Sequence, residues 1–116
     1  PFRLPLDNRK LNFAELGKMS FFAPDPEKFP ALGLAYEALE KGGNMACIMN
    51  AANEAAVAAF LREEIGFYDI TDIVGQCMNG ADFAADPDLE TIFETNETIL
   101  ARASELIGRI SGRKSF

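Results

Sequence analysis

Apolar residues recur with helical spacing over most of the chain, starting near Pro30. Leu32, Tyr36 and Leu39 lie at positions i, i+4 and i+7, with Ala35 and Ala38 alongside, which predicts one apolar face of a helix. Pro30 suits the first turn of this helix, because its missing N–H group has no hydrogen bond to lose there. The glycine pair at 42–43 is typical of a helix end. The pattern therefore predicts a helix from Pro30 to this glycine pair.

The most apolar stretch of the chain runs from Met45 to Leu61 and predicts a second helix. Its seven alanines favour helix formation and allow neighbouring helices to approach closely. Asn44 precedes the stretch and is a residue type that caps helices with its side chain. Because apolar residues occupy nearly every side, we expect this helix to be central and mostly buried.

Two or three further helices follow in the pattern. The segment 69–72 (Asp-Ile-Thr-Asp) supplies a cap and acidic residues for the first turn of the third helix, which we expect to stop at 79–80 (Asn-Gly). Asp86, before a proline, predicts the start of the next helix. Asn96 interrupts the later apolar spacing and could cap a separate final helix. The fold class predicted is all-α, a small helical bundle of four to five helices.

The first 30 residues differ from the rest of the chain. They contain five of its six prolines, and proline does not sustain a helix interior. The short runs 11–13 and 19–22 are compatible with brief extended segments, and 14–17 with a single helical turn. We predict a Pro-rich linker or docking segment at 1–30, the leader, and a carboxy-terminal helical bundle domain at 31–116. Because the chain starts on a proline, we expect it to be a piece of a longer protein.

Charge and composition exclude several classes of function. The chain carries 11 Lys and Arg against 18 Asp and Glu, a net charge of −7, so we expect no nucleic-acid partner. It has no histidine, the commonest general base and metal ligand. No apolar stretch reaches about 18 residues, so we expect no membrane partner. Cys47 and Cys77 lie far apart without framework spacing, which favours reduced thiols in a cytoplasmic protein.

Three polar residues share one stripe of the apolar second helix. Asn50, Asn53 and Glu54 lie at i, i+3 and i+4. They could form a small-molecule or metal site, but one carboxylate and two amides make a weak metal cage. A hydrogen-bonded contact to the leader, to a neighbouring helix or to another domain is the better interpretation. We therefore take these residues as candidate interdomain contacts.

No catalytic, cofactor-binding or metal-binding residue is predicted. The chain has no glycine-rich phosphate loop, and neither its serines nor its cysteines have a histidine to activate them. The acidic residues between 82 and 90 lack the spacing of a calcium-binding loop. These residues therefore predict a chain that catalyses no reaction alone.

Three segments carry a resemblance to a known family. The run Leu-x-Phe-x-x-Leu-Gly-x-Met-x-Phe-x-x-Pro-Asp spans 11–25, Asn-Ala-Ala-Asn-Glu-Ala-Ala-Val-Ala-Ala-Phe-Leu spans 50–61, and Ile-Gly-Phe-Tyr-Asp-Ile spans 65–70. In this order and at these distances, they resemble the linker and carboxy-terminal helical domain of 1-deoxy-D-xylulose 5-phosphate (DXP) reductoisomerases. The resemblance covers essentially the whole chain and is weakest after Gly80.

The resemblance implies the activity of a longer enzyme. Members of the family convert DXP to 2-C-methyl-D-erythritol 4-phosphate with NADPH and Mg²⁺ or Mn²⁺, in the non-mevalonate route to isoprenoids. Their catalytic and cofactor motifs belong to a dinucleotide-binding domain and a catalytic domain, so no catalytic residue maps onto this chain. The implied partners are the catalytic domain of the same chain and, for the full enzyme, a second copy in a homodimer.

Two functional hypotheses follow. In the first, this chain is an inactive buttress of the catalytic domain. In the second, it is a free-standing helical protein-interaction module that binds a partner through Asn50, Asn53 and Glu54. Coding sequence upstream of Pro1 with a glycine-rich βαβ start would favour the first, and a Met codon just before Pro1 the second.

Overall fold

The computed structural model describes residues 11–114 and contains five α-helices in that range, with no strand. The helices are α1 (Phe13–Leu16), α2 (Ala31–Lys41), α3 (Met45–Leu61), α4 (Phe67–Asn79) and α5 (Leu89–Lys114). The predicted all-α class is therefore confirmed. None of these described helices is long and apolar enough to cross a membrane.

Helix α3 is the centre of the bundle and contacts α2, α4 and α5. Its bounds are the predicted ones, and its alanines are the reason that three helices can approach it. The fully buried side chains of α3 are Ile48, Ala51, Ala52, Ala56 and Ala59. Small side chains at these positions allow close interaxial distances, so the core forms around α3 as expected.

Helix α2 packs on the bundle with only part of the apolar face that its pattern predicts. Ala38 is buried and Leu34 is half-buried against the core, whereas Leu32, Tyr36 and Leu39 are exposed. The helix therefore has apolar residues on two sides. The side that carries Leu34 and Ala38 faces α3 and α4, and the other side stays exposed. The predicted end is confirmed, because Gly42 adopts a φ of 64° and donates its N–H to the Ala38 carbonyl oxygen.

Helix α4 begins at Phe67, earlier than the predicted start at 69–72. Asp69 is the third residue of the helix, and its carboxylate reaches back to accept the N–H of Gly66 at 2.6 Å. The acidic residue therefore caps from inside the first turn. The predicted stop is confirmed, since the helix ends at Asn79 with Gly80 after it.

The carboxy-terminal part of the bundle is one continuous helix, so the predicted start at Asp86 and the separate final helix at Asn96 are both wrong. Asp88 provides the side-chain cap of α5, because its Oδ1 accepts the N–H of Thr91 at 2.8 Å. An asparagine inside a helix costs only a fraction of a kcal/mol, about 0.7 at most. The burial of residues such as Ile99 and Ala103 against the core outweighs that cost.

The described part of the leader contains α1 and otherwise no regular structure. The predicted single turn is present as α1, whose Asn12 side chain accepts the N–H of Ala14 at 3.1 Å. The segment 19–22 is neither helix nor paired strand. Helix α1 contacts none of the other helices. Residues 1–10 of the predicted linker lie outside the described residues.

Candidate functional site

The three polar residues singled out on α3 are exposed, and two of them are joined. Asn50 donates an Nδ2 hydrogen to Glu54 Oε1 at 3.0 Å. The carboxamide of Asn53 makes no hydrogen bond to the described residues. The helix therefore places the three side chains on one stripe, and this stripe presents unused amide groups to the surface.

Asn50 and Asn53 line a groove of about 200 Å³ between α2, α3 and α4, which we call the amide groove. The apolar part of its lining comes from all three helices and includes Leu34, Met49 and Val74. Glu54 lies outside the lining. No ionisable side chain lines the groove, so it has no acid or base for catalysis. Its chemistry suits a neutral ligand that offers apolar surface and amide hydrogen bonds, as a polypeptide segment does.

The exposed side of α2 adjoins the amide groove. Leu32, Tyr36 and Leu39 form this surface, which we call the α2 face. Tyr36 is 60% exposed and Leu39 76% exposed. Ala35 lines the groove and lies four residues before Leu39 of the α2 face. At 100° per residue, these two side chains are only about 40° apart around the helix. The α2 face and the amide groove are therefore neighbouring parts of one surface.

The leader exposes more large apolar side chains than any other part of the described chain of similar length. Phe21 and Phe22 are 84% and 89% exposed, and Leu11, Phe13 and Met19 are also exposed. Large exposed apolar patches on a protein surface mark interaction sites. The leader is therefore a second candidate contact surface, separate from α3.

A buried polar cluster that sequence reasoning missed lies at the start of α3. Asn44 is 1% exposed and precedes α3, but its side chain does not cap the helix. Its Nδ2 donates to the Asp82 carbonyl oxygen at 3.0 Å and to Thr95 Oγ1 at 3.1 Å, and its Oδ1 accepts the N–H of Ala84 at 2.9 Å. Asparagine before a helix indicates only a cap, so the sequence holds no signal for these distant partners. The cluster fixes the loop between α4 and α5 and has a structural role.

The two cysteines are free thiols without catalytic features. Cys77 is fully buried, and Cys47 is half-buried and donates its Sγ hydrogen to the Ile92 carbonyl oxygen at 3.5 Å. Burial raises the pKa of both thiols; a weaker opposing effect at Cys77 comes from Arg102. Both side chains therefore stay protonated near neutral pH, the unreactive form of a thiol.

The described residues contain no group of three or more His, Cys, Asp or Glu side chains that could hold a metal ion. Glu54, the carboxylate of the polar stripe on α3, already accepts a hydrogen bond from Asn50. The donor set in residues 11–114 therefore does not fit a divalent metal.

Comparisons with known proteins all indicate the same family. Residues 1–102 match the family model described as the DXP reductoisomerase C-terminal domain. A 1-deoxy-D-xylulose 5-phosphate reductoisomerase of Halothermothrix orenii is 44% identical over 101 residues, which are 87% of this chain and 26% of that protein. A Bacillus cereus protein of the same name is 46% identical over 99 residues, or 84% of this chain and 26% of that protein.

A solved structure shares the fold as well as the sequence. The 1-deoxy-D-xylulose 5-phosphate reductoisomerase from Zymomonas mobilis, in complex with NADPH, superposes with a TM-score of 0.79 at 42% identity. The superposition covers 92% of this chain and 28% of that one. The chain thus spans about a quarter of the length of the relatives it matches. Because sequence and fold agree over nearly its whole length, the chain belongs to the DXP reductoisomerase C-terminal domain family.

Proposed function

We propose that this chain is the carboxy-terminal helical domain of a DXP reductoisomerase and that it supports the catalytic part of the same polypeptide. The family match and the partial coverage of longer relatives support this role. The complete enzyme would convert DXP to 2-C-methyl-D-erythritol 4-phosphate in the non-mevalonate route to isoprenoids. The domain itself contributes structure to that enzyme and no reacting group.

The observation that carries the structural role is the exposure of the leader. Phe21 and Phe22 are almost fully exposed, and α1 contacts no other helix. Burying one such phenylalanine stabilises a protein by about 1.5–3 kcal/mol, so a leader with several of them favours a protein surface over water. The catalytic part of the polypeptide provides that surface in the proposal.

The chemistry of the complete enzyme is assigned to residues outside this chain. The amide groove has no ionisable lining, and the described residues have no metal-binding group. The chain also has no histidine and no glycine-rich phosphate loop. These residues fit neither NADPH nor Mg²⁺ or Mn²⁺, so the proposal assigns both cofactors, and the reaction itself, to the catalytic part.

The proposal has two further parts that rest on the family resemblance. The complete enzyme is a homodimer, and it is cytoplasmic. Free thiols at Cys47 and Cys77 agree with a reducing compartment. Sedimentation analysis of the complete polypeptide tests the dimer, since a monomer at working concentration would contradict that part of the proposal.

Steady-state oxidation of NADPH tests the proposed function. Three proteins are compared with DXP and Mg²⁺: the complete polypeptide, the same polypeptide ending before Pro1, and the 116-residue chain. We expect turnover from the complete polypeptide alone. Circular dichroism confirms that each protein is folded. Turnover by the 116-residue chain, or undiminished turnover without it, would contradict the proposal.

A further inference from the structure

The α2 face is an apolar surface that no described helix covers. Its residues Leu32, Tyr36 and Leu39 are exposed, although their spacing is that of a buried helix face. The bundle side of α2 is already occupied, because Leu34 and Ala38 pack against the core. A second apolar side on one helix is expected where a further protein surface packs on it.

The chemistry of this surface indicates a polypeptide as its occupant. The α2 face supplies two leucines and a tyrosine, and the adjoining amide groove supplies the free carboxamide of Asn53. An apolar surface beside neutral amides is suited to side chains together with main-chain N–H and C=O groups. The absence of ionisable residues from the groove lining disfavours a charged small molecule.

The most economical occupant is the remainder of the same polypeptide. About three-quarters of the length of each matched relative lies outside the region that aligns with this chain. A tethered contact also benefits from an effective concentration in the millimolar range. A small face can therefore dock within one chain.

We propose that the α2 face and the amide groove together form a second docking surface for the catalytic part of the polypeptide, distinct from the leader. This inference rests on the proposed function. The leader alone is a single attachment and would leave the bundle free to rotate. A second contact on α2 fixes the orientation of the bundle relative to the catalytic part.

The two tyrosines of the chain provide a direct test with an internal control. Tyr36 belongs to the α2 face and is 60% exposed, whereas Tyr68 lies on α4 and is 64% exposed. Nitration by tetranitromethane, followed by peptide mass spectrometry, measures the reaction rate of each. In the 116-residue chain we expect similar rates. In the complete polypeptide we expect Tyr36 to react about tenfold more slowly, which corresponds to about 1.4 kcal/mol of docking free energy.

A matched pair of variants separates docking from a general change in reactivity. Leu39 and Leu61 are 76% and 74% exposed, and only Leu39 belongs to the α2 face. In the complete polypeptide, Leu39→Ser is expected to restore fast nitration of Tyr36, and Leu61→Ser to leave it slow. Both substitutions are at exposed positions, so neither is expected to unfold the bundle.

Two results would overturn the inference. Equal rates for Tyr36 in the 116-residue chain and in an active complete enzyme would mean that the α2 face stays open. Protection of Tyr36 in the 116-residue chain alone, rising with its concentration, would assign the face to a second copy of this chain. Either result leaves the proposed function intact, whereas an inactive complete polypeptide would contradict the proposed function itself.

Discussion

The buried carboxamide of Asn44 joins the start of α3 to the loop before α5 and to α5 itself. Its donors and its acceptor are all used within the protein, and its backbone N–H donates to the Ala84 carbonyl oxygen at 3.0 Å. Removal of the side chain leaves the Ala84 N–H and the Asp82 carbonyl oxygen without these part-buried hydrogen bonds. Unpaired buried polar groups are costly, so Asn44 stabilises this end of the bundle.

Replacement of Asn44 is predicted to destabilise the bundle. Asn44→Ala should lower the free energy of unfolding by roughly 1–3 kcal/mol, the cost of unpaired buried polar groups. Urea denaturation followed by circular dichroism measures the change. Asn50→Ala removes an exposed asparagine of α3 and should change stability by less than about 0.5 kcal/mol. Equal effects of the two substitutions would refute the role assigned to Asn44.

Gly43 is the position where a side chain is least tolerated. It has a φ of 55°, and an added Cβ would overlap the carbonyl oxygen of Ala84. Gly42 has a φ of 64° but open space around it. Gly42→Ala should therefore cost only the strain of a backbone conformation (φ 64°, ψ −145°) that residues with a side chain rarely adopt, about 1–3 kcal/mol. Gly43→Ala should cost clearly more in the same denaturation assay, and equal costs would contradict the close approach.

Local sequence pattern predicts contacts between neighbouring residues but not between residues far apart along the chain. The position of Asn44 before α3 could be predicted from local pattern. Its partners could not, because they lie 38 to 51 residues away. Asn50 and Asn53 show the same division, since their shared stripe follows from helical spacing but the groove beside them requires α2 and α4.

At the level of elements, the start of α5 depends on Asp88. Acceptance of the Thr91 backbone N–H lowers the pKa of this carboxyl below its ordinary value of 3.8. Because the pKa is lower in the folded state, the carboxylate stabilises the fold above about pH 3.8. This contribution is lost as the pH falls through the lowered pKa.

Substitution of Asp88 is predicted to lower the thermal midpoint at neutral pH and to remove part of the acid dependence. Asp88→Ala removes both the cap and the charge, whereas Asp88→Asn keeps an accepting oxygen that does not titrate near this pH. Asp86→Ala is the matched control, because Asp86 makes no hydrogen bond to the described residues. Thermal melts from pH 2 to 7 measure these effects, and a larger effect from Asp86→Ala would contradict the observed start of α5.

The helices differ in how far their own sequence determines their bounds and their buried faces. Helix α3 is apolar on nearly every side, so its bounds and its burial could both be predicted from local pattern. Helix α2 has two apolar sides, and the choice between them depends on where α3 and α4 leave room. Helix α5 continues through Asn96 because packing along the core outweighs one weak helix former.

At the scale of the whole molecule, the chain divides into a part with its own core and a part without one. Helices α2 to α5 enclose the buried residues, whereas the described leader buries none of its side chains. The boundary near residue 30 and docking by the leader both remain predictions. The central claim is that the bundle folds by itself and that the leader requires the catalytic part.

Hydrogen–deuterium exchange of residues 11–22 tests that claim most directly. It is measured in the monomeric 116-residue chain and in the complete polypeptide, with α3 as the internal reference for a stable helix. We predict that α3 is protected in both proteins and that residues 11–22 are protected only in the complete polypeptide. Full protection of residues 11–22 in the monomeric 116-residue chain would contradict the claim.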